Sequence, residues 1–230
     1  MADIIRLEKI SKTYGTKVKT QVLFDIDLAF AEQSFNAIIG QSGSGKSTLM
    51  NIIGTLDQPT RGEIWINQIR TTDMNADQLA SLRNETIGFI FQFHYLLPEF
   101  TVMENVLMPW RIRGLPVIKE VRDRAEELLD TVGLSKVHNN LATALSGGQQ
   151  QRTAIARALI NQPKIVLADE PTGNLDSATT DTVYQLLRQI NRKMKTTFII
   201  ITHDKRVAEQ ADRIVEIKDG RIEMDVRNPI

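Results

Sequence analysis

Apolar residues along the chain gather in short runs separated by glycine, asparagine and charged residues, and the spacing changes from segment to segment. Residues 4–10 and 22–30 alternate in part between apolar and polar positions and predict two short strands, with Tyr14-Gly15 in the turn between them. Phe35-Asn36-Ala37-Ile38-Ile39 reads as a buried strand; a glycine-rich turn follows, and then a helical stretch over about residues 46–56. Residues 62–67 and 87–91 are further strands. Strand signals then fade. Val121, Ala125, Leu128, Leu129 and Val132 lie on one face of a helix that Gly133 stops. A second helix is expected over residues 152–159. Strands return at residues 164–168 and 197–201, with an amphipathic helix between them carried by Val183, Leu186, Leu187 and Ile190. Residues 213–218 and 221–224 predict a hairpin around Asp219-Gly220. Alternating strands and helices imply an α/β fold with a mostly parallel sheet, an antiparallel β subdomain at the N-terminus and an inserted α-helical subdomain. The expected organisation is one domain over residues 1–230, in which 1–92 and 162–230 form the core with its β subdomain and about 93–161 form the helical insertion.

Composition narrows the chemistry. The 230 residues are 42% apolar and 24% charged, the proportions of an ordinary globular protein. Twenty-eight basic and 28 acidic side chains cancel, so no global field draws the chain to nucleic acid or to an anionic surface. Without cysteine there is no thiol nucleophile and no thiolate metal site, and three scattered histidines argue against a His-rich one. The opening Met-Ala-Asp-Ile-Ile-Arg lacks the pattern of a signal peptide, and no apolar run approaches the roughly 20 residues that span a bilayer, so a cytosolic chain is expected.

Gly40-Gln41-Ser42-Gly43-Ser44-Gly45-Lys46-Ser47, followed by Thr48, fits a phosphate-binding loop in the required setting between an apolar strand and a helix. Its glycines let successive backbone N–H groups turn inward, and the helix N-terminus adds positive potential. Lys46 is expected to bridge the β- and γ-phosphates and Ser47 to hold Mg²⁺. Asp169 and Glu170 end the apolar run Ile165-Val166-Leu167-Ala168. The first carboxylate suits the Mg²⁺ shell, and the second suits a general base that orients water for in-line attack.

Leu145-Ser146-Gly147-Gly148-Gln149 opens another helix. Ser146 with Gln149 is a capping box and reads equally as simple helix initiation. Placed between a phosphate loop and an Ile-Val-Leu-Ala-Asp-Glu strand, however, Leu-Ser-Gly-Gly-Gln resembles the signature of the ABC ATPase family, and the resemblance covers nearly the whole chain. It implies a P-loop (RecA-like) ATPase with ATP and Mg²⁺ as ligands. It further implies a head-to-tail homodimer in which each ATP lies between one chain's phosphate loop and the other's Ser146, Gly147, Gly148 and Gln149. By the same resemblance Tyr14, in Lys-Thr-Tyr-Gly, stacks on adenine; taken alone it is a packed turn aromatic. Gln92 senses Mg²⁺ and the attacking water and faces a membrane partner; taken alone it is a polar strand end. Asp176, in Gly-Asn-Leu-Asp, belongs to a loop that crosses between the two sites. His203, in Ile-Thr-His-Asp, contacts the γ-phosphate and holds Glu170; taken alone it is a capped strand terminus. One departure stands out: Ala31-Glu32-Gln33-Ser34 replaces the Gly-Glu turn usual before the phosphate-loop strand.

The stretch Phe93-His94-Tyr95-Leu96-Leu97-Pro98, together with Ala-Asp-Glu-Pro-Thr-Gly-Asn-Leu-Asp, resembles the lipoprotein-releasing, MacB-type and FtsE-type branch of that family. This implies integral membrane permease subunits as partners and a station on the cytoplasmic face of the inner (plasma) membrane. Residues 95–98 read either as subdomain core or as an apolar groove for a permease helix. Rival readings are a soluble ABC ATPase serving ribosomes or DNA, a regulator of cell division or cell-wall hydrolases, and a P-loop GTPase or kinase. No basic stripe supports a nucleic-acid partner, and no Asn-Lys-x-Asp guanine reader is present.

Overall fold

The computed structural model describes residues 2–228. Two long strands, β1 (Asp3–Tyr14) and β2 (Thr20–Ala31), pair antiparallel and are followed by β3 (Phe35–Ile39) and α1 (Lys46–Ile53). Next come β4 (Arg61–Ile66), the two-residue β5 (Ile69–Arg70), α2 (Ala76–Thr86) and β6 (Ile87–Phe91). The helices α3 (Val102–Arg111), α4 (Lys119–Thr131) and α5 (Gly147–Leu159) lead to β7 (Ile165–Asp169), α6 (Ser177–Met194) and β8 (Thr197–Ile201). A short α7 (Lys205–Glu209) and the hairpin β9 (Arg213–Lys218) and β10 (Arg221–Arg227) complete the described chain.

The strands form two sheets. One is antiparallel, ordered β2-β1-β4-β5; the other is ordered β10-β9-β3-β8-β7-β6 and is parallel except for its terminal hairpin. Because side chains alternate along a strand, the central strands feed two hydrophobic clusters. Phe35, Val166 and Phe198 join α3, α4, α5 and α6 on one face, while Ile38, Leu167 and Ile199 meet α1 and the antiparallel sheet on the other. Burial on both faces explains why these strands read as unbroken apolar runs. The inserted helices share their core with the sheet rather than building a separate one.

Most predicted elements stand where the periodicity put them; β5, α2 and α7 lie outside the expected set, α3 only within the expected helical insertion, and two expected elements are displaced. Tyr14 is the last residue of β1, paired with Thr20, and not part of the turn. Helix α5 begins at Gly147, five residues before the expected start, because Ser146 and Gln149 form both hydrogen bonds of the capping box. Helix α2 carries a weak apolar pattern, with only Leu79, Leu82 and Thr86 buried; its legible signal is the capping box of Asn75 and Gln78.

The departure in the turn before β3 has a backbone consequence. Gln33 is exposed and adopts a left-handed conformation, φ 62°, which strains any residue with a Cβ. Its N–H donates to Thr197 Oγ1 (2.8 Å) and its carbonyl accepts from Asn191 Nδ2 (3.0 Å), so the strain is held by the surrounding packing. Gln33→Gly is expected to stabilise the protein by about 0.5–1 kcal/mol, the relieved strain outweighing the extra unfolded-state entropy of glycine. Scanning calorimetry reads this as a rise of about 1–4 °C in Tm.

Candidate functional site

Four adjacent parallel strands end on one edge of the sheet, and each delivers a chemical group there. The phosphate loop leaves β3, His203 follows β8, Asp169 and Glu170 end β7, and Gln92 follows β6. Ligands of open α/β sheets bind beyond the carboxyl ends of the strands. An open cleft of about 590 Å³ lies along this edge, lined by Gly40, Ser42, Gly43, Gly45, Lys46, Ser47, Thr48, Gln92, Asp169, Glu170 and His203.

Local structure explains the shape of the loop. Gly45 caps α1 with φ 105°, and a Cβ there would come within 2.8 Å of Leu23 Cδ2, so only glycine fits. Lys46 is almost buried, and its ammonium donates to the Gly40 and Gln41 carbonyls at 2.9 and 2.7 Å. Two of its three protons therefore hold the loop, leaving the third for a phosphate. Ser44 Oγ is buried without a protein partner among the described residues. No acidic residue sits in the first turn of α1 to oppose an anion.

The carboxylates are set differently from one another. Asp169 ends β7 in register with Phe91 and Ile201. Burial, then repulsion from Glu170, raises its pKa above the ordinary aspartate value, with Lys46 opposing the shift. Glu170 stands in a left-handed conformation, φ 46°, where its N–H donates to the Ile201 carbonyl and its own carbonyl accepts from Gly173, both at 3.0 Å. Strain of this kind collects at functional sites, where it aims a side chain the regular strand would turn aside. His203 Nδ1–H donates to Glu170 Oε1 at 2.8 Å. The structure thus unites Lys46, Ser47, Asp169, Glu170, His203 and Gln92 in one cleft.

Sequence reasoning missed the groups that fix these residues. Asn174 accepts from Gln92 Nε2 (3.3 Å) and returns a bond from its own amide to the Gln92 carbonyl (3.2 Å). Gly173 packs so tightly here that a Cβ would lie 2.7 Å from Gln92 Nε2. The acceptor end of the Gln92 amide is the one left for a cation. Tyr14 does not line the cleft; its hydroxyl donates to Asp57 Oδ2 at 2.7 Å.

The turn Ser146–Gln149 does not line the cleft either. It packs instead beside the start of α6, where a Cβ on Gly148 would lie 3.1 Å from Thr179 Cγ2. Asp176 caps that helix, accepting from the Thr179 N–H at 3.0 Å. The Ser146–Gln149 turn and the cap of α6 thus lie side by side, and neither lines the cleft of the phosphate loop.

Beyond Gln92 the chain is exposed at Phe93, Tyr95 and Leu97, while Leu96 packs on the core. His94 and Tyr95 both adopt positive φ, and their carbonyls accept from the guanidinium of Arg157 on α5, at 2.5 and 2.6 Å. Asn105, fully buried, binds the Leu97 N–H and the carbonyls of Leu97, Phe100 and Thr101. Between α2, β6 and α3 lies an apolar groove of about 480 Å³, lined by Leu56, Phe89, Phe91, Tyr95, Met108 and Ile112 among others.

A parallel sheet with a phosphate loop and an acid pair on its carboxyl edge defines a P-loop nucleotide hydrolase. The family described as ABC transporter matches residues 23–173, and the chain belongs to it. It is the ATP-hydrolysing component of a transporter of that family. The lipoprotein-releasing system ATP-binding protein LolD 1 of Rhodopseudomonas palustris is 53% identical over 225 residues, 96% of this chain and 99% of that protein. LolD of Anaeromyxobacter dehalogenans is 49% identical over 222 residues, covering 96% of this chain and 93% of that protein. Among solved structures, the dimeric ATP-binding cassette MJ0796 in a post-hydrolysis state with ADP and Pi superimposes with a TM-score of 0.89 at 42% identity, covering 98% of this chain and 100% of that one. No helix among the described residues is long and apolar enough to cross a membrane.

Proposed function

We propose that the chain works as a head-to-tail homodimer on a membrane permease and uses ATP to drive release of lipoproteins from the membrane. The observation that supports this reading most is the 53% identity, over nearly the full length of both chains, to a lipoprotein-releasing ATPase. The dimeric state of MJ0796, at 42% identity, supports the paired arrangement.

The residues fit the ligands. The phosphate loop presents inward N–H groups, the third proton of Lys46 and the unpartnered Ser44 hydroxyl to a triphosphate. Among the described residues no cluster of three or more acidic and histidine side chains could hold a metal by itself. Ser47, Asp169 and the Gln92 amide supply oxygen donors, the set that suits a Mg²⁺ shared with phosphate oxygens. Bound Mg²⁺ would neutralise charge on the phosphates. Glu170 accepts the proton of the attacking water, and His203 holds that carboxylate in place. Ser146 and the first N–H groups of the partner's α5 close over the γ-phosphate. Asp176 crosses toward the partner's site. ATP favours the closed dimer because it contacts both chains, and loss of phosphate removes those contacts.

The exposed Phe93, Tyr95 and Leu97 beside the apolar groove favour a docking surface for a permease helix over the subdomain-core reading. Such docking places the ATPase on the cytoplasmic face of the membrane. Reconstitution with a lipoprotein-releasing permease tests the cargo: proteoliposomes are expected to release an acylated lipoprotein only with hydrolysable ATP. ATPase stimulation by a drug or peptide, without lipoprotein release, would overturn that assignment.

A further inference from the structure

We propose that Lys12 and Asp57 are positioning residues for ATP, locking the Tyr14 ring as a rigid platform for the adenine base. This rests on the reading of Tyr14 as the base-stacking residue. Two groups reach the tyrosine, and each is itself held by further bonds. Its hydroxyl donates to Asp57 Oδ2 (2.7 Å). The Lys12 ammonium donates to Asp57 Oδ1 (2.5 Å) and to the Gln58 carbonyl (2.7 Å). The same ammonium stands 4.7 Å from the Tyr14 ring centroid. The Gln58 N–H donates to Asp57 Oδ1 at 2.8 Å, so the carboxylate itself is fixed.

The arrangement follows from the chain. Lys12 and Tyr14 are two apart on β1 and point to the same face of the strand. Asp57 lies just past the C-terminus of α1, and its N–H and that of Leu56 both donate to the Asn51 carbonyl. Tyr14 is thereby tied, through Asp57, to the C-terminal end of the helix that carries the phosphate loop. Lys12 is 9% exposed and Tyr14 is 40% exposed, so the cation is held against the ring while the ring keeps surface open to a ligand. The protonation states suit the lock. Burial would raise Asp57, but bonds from Lys12 and Tyr14 bring it below the usual aspartate range and keep it an acceptor. Burial and the Asp57 bond raise Tyr14, keeping it a donor. A ring held in place before ATP arrives spares the ligand the entropic cost of ordering it.

Calorimetric titration of the whole chain with Mg²⁺-ADP, and with tripolyphosphate as a ligand that has phosphates but no base, tests the lock. Tyr14→Phe, which removes one oxygen, and Asp57→Asn are each expected to weaken ADP about threefold to tenfold while leaving tripolyphosphate unchanged. Tyr14→Ala is expected to weaken ADP by about tenfold or more, as loss of a stacking partner does. If Tyr14→Ala leaves ADP affinity intact, the platform reading itself fails. If Tyr14→Ala weakens ADP but Tyr14→Phe and Asp57→Asn do not, the platform stands and the lock is overturned. Equal weakening of ADP and tripolyphosphate by Asp57→Asn would overturn it too, since the damage would then lie in the phosphate loop.

Discussion

Glu170→Gln is expected to keep ATP affinity and to lower turnover by about 10²–10⁴-fold, the range spanned by a general base. The substitution preserves the shape of the side chain, and the amide oxygen still accepts from His203 Nδ1, so the local scaffold survives. What disappears is a carboxylate able to take a proton from water. Affinity persists because the phosphate loop and Lys46 belong to other strands of the sheet edge. With hydrolysis blocked, the ATP-bound dimer cannot discharge and is expected to accumulate. Phosphate-release assays measure the first effect and light scattering with ATP the second. Near wild-type turnover would remove Glu170 from the role given to it.

Ser146→Arg is expected to leave ATP binding in place and to lower hydrolysis by about 10²-fold or more, the cost of losing a donor at developing negative charge. Ser146 does not line the cleft of its own chain, so a defect in hydrolysis without a defect in binding is the outcome the proposed two-chain site expects. In the proposed dimer, arginine at the cap also fills the space that the partner's nucleotide would occupy. Losing the cap costs about 1 kcal/mol, which the fold survives; Ser146→Ala carries that loss alone and serves as the control. Wild-type activity is expected to rise with the square of protein concentration at low concentration. Full activity of Ser146→Arg as a monomer would refute the shared site.

What could be read in advance divides along a physical line. Strands β3, β6 and β8 are legible to the residue because sheets covered on both faces leave continuous apolar runs. The β9–β10 hairpin is legible because Asp219 and Gly220, at φ 48° and 73°, are residues that tolerate a left-handed turn. The phosphate loop, the acid pair and the signature turn are each continuous in sequence, and local spacing finds them. What escaped joins distant segments: Tyr14 to Asp57 across 43 residues, Gln92 to Asn174 across 82, Tyr95 to Arg157 across 62. No local pattern encodes such pairs. The left-handed backbone of Glu170 was equally hidden, since glutamate carries no signal for it and the neighbouring strand imposes it. The capping reading of Ser146 holds in the structure, where both hydrogen bonds of the box are formed at the start of α5.

The Arg157 clamp has a mechanical meaning. A guanidinium is a flat fork with its donors in fixed relation, and here the fork spans the carbonyls of two successive residues whose backbone has little room to yield. A tilt of α5 therefore finds no slack to absorb it. In the proposed dimer, the helix whose N-terminus closes on the partner's nucleotide and the segment that docks the permease are then one linkage, so a tilt of one carries the other with it.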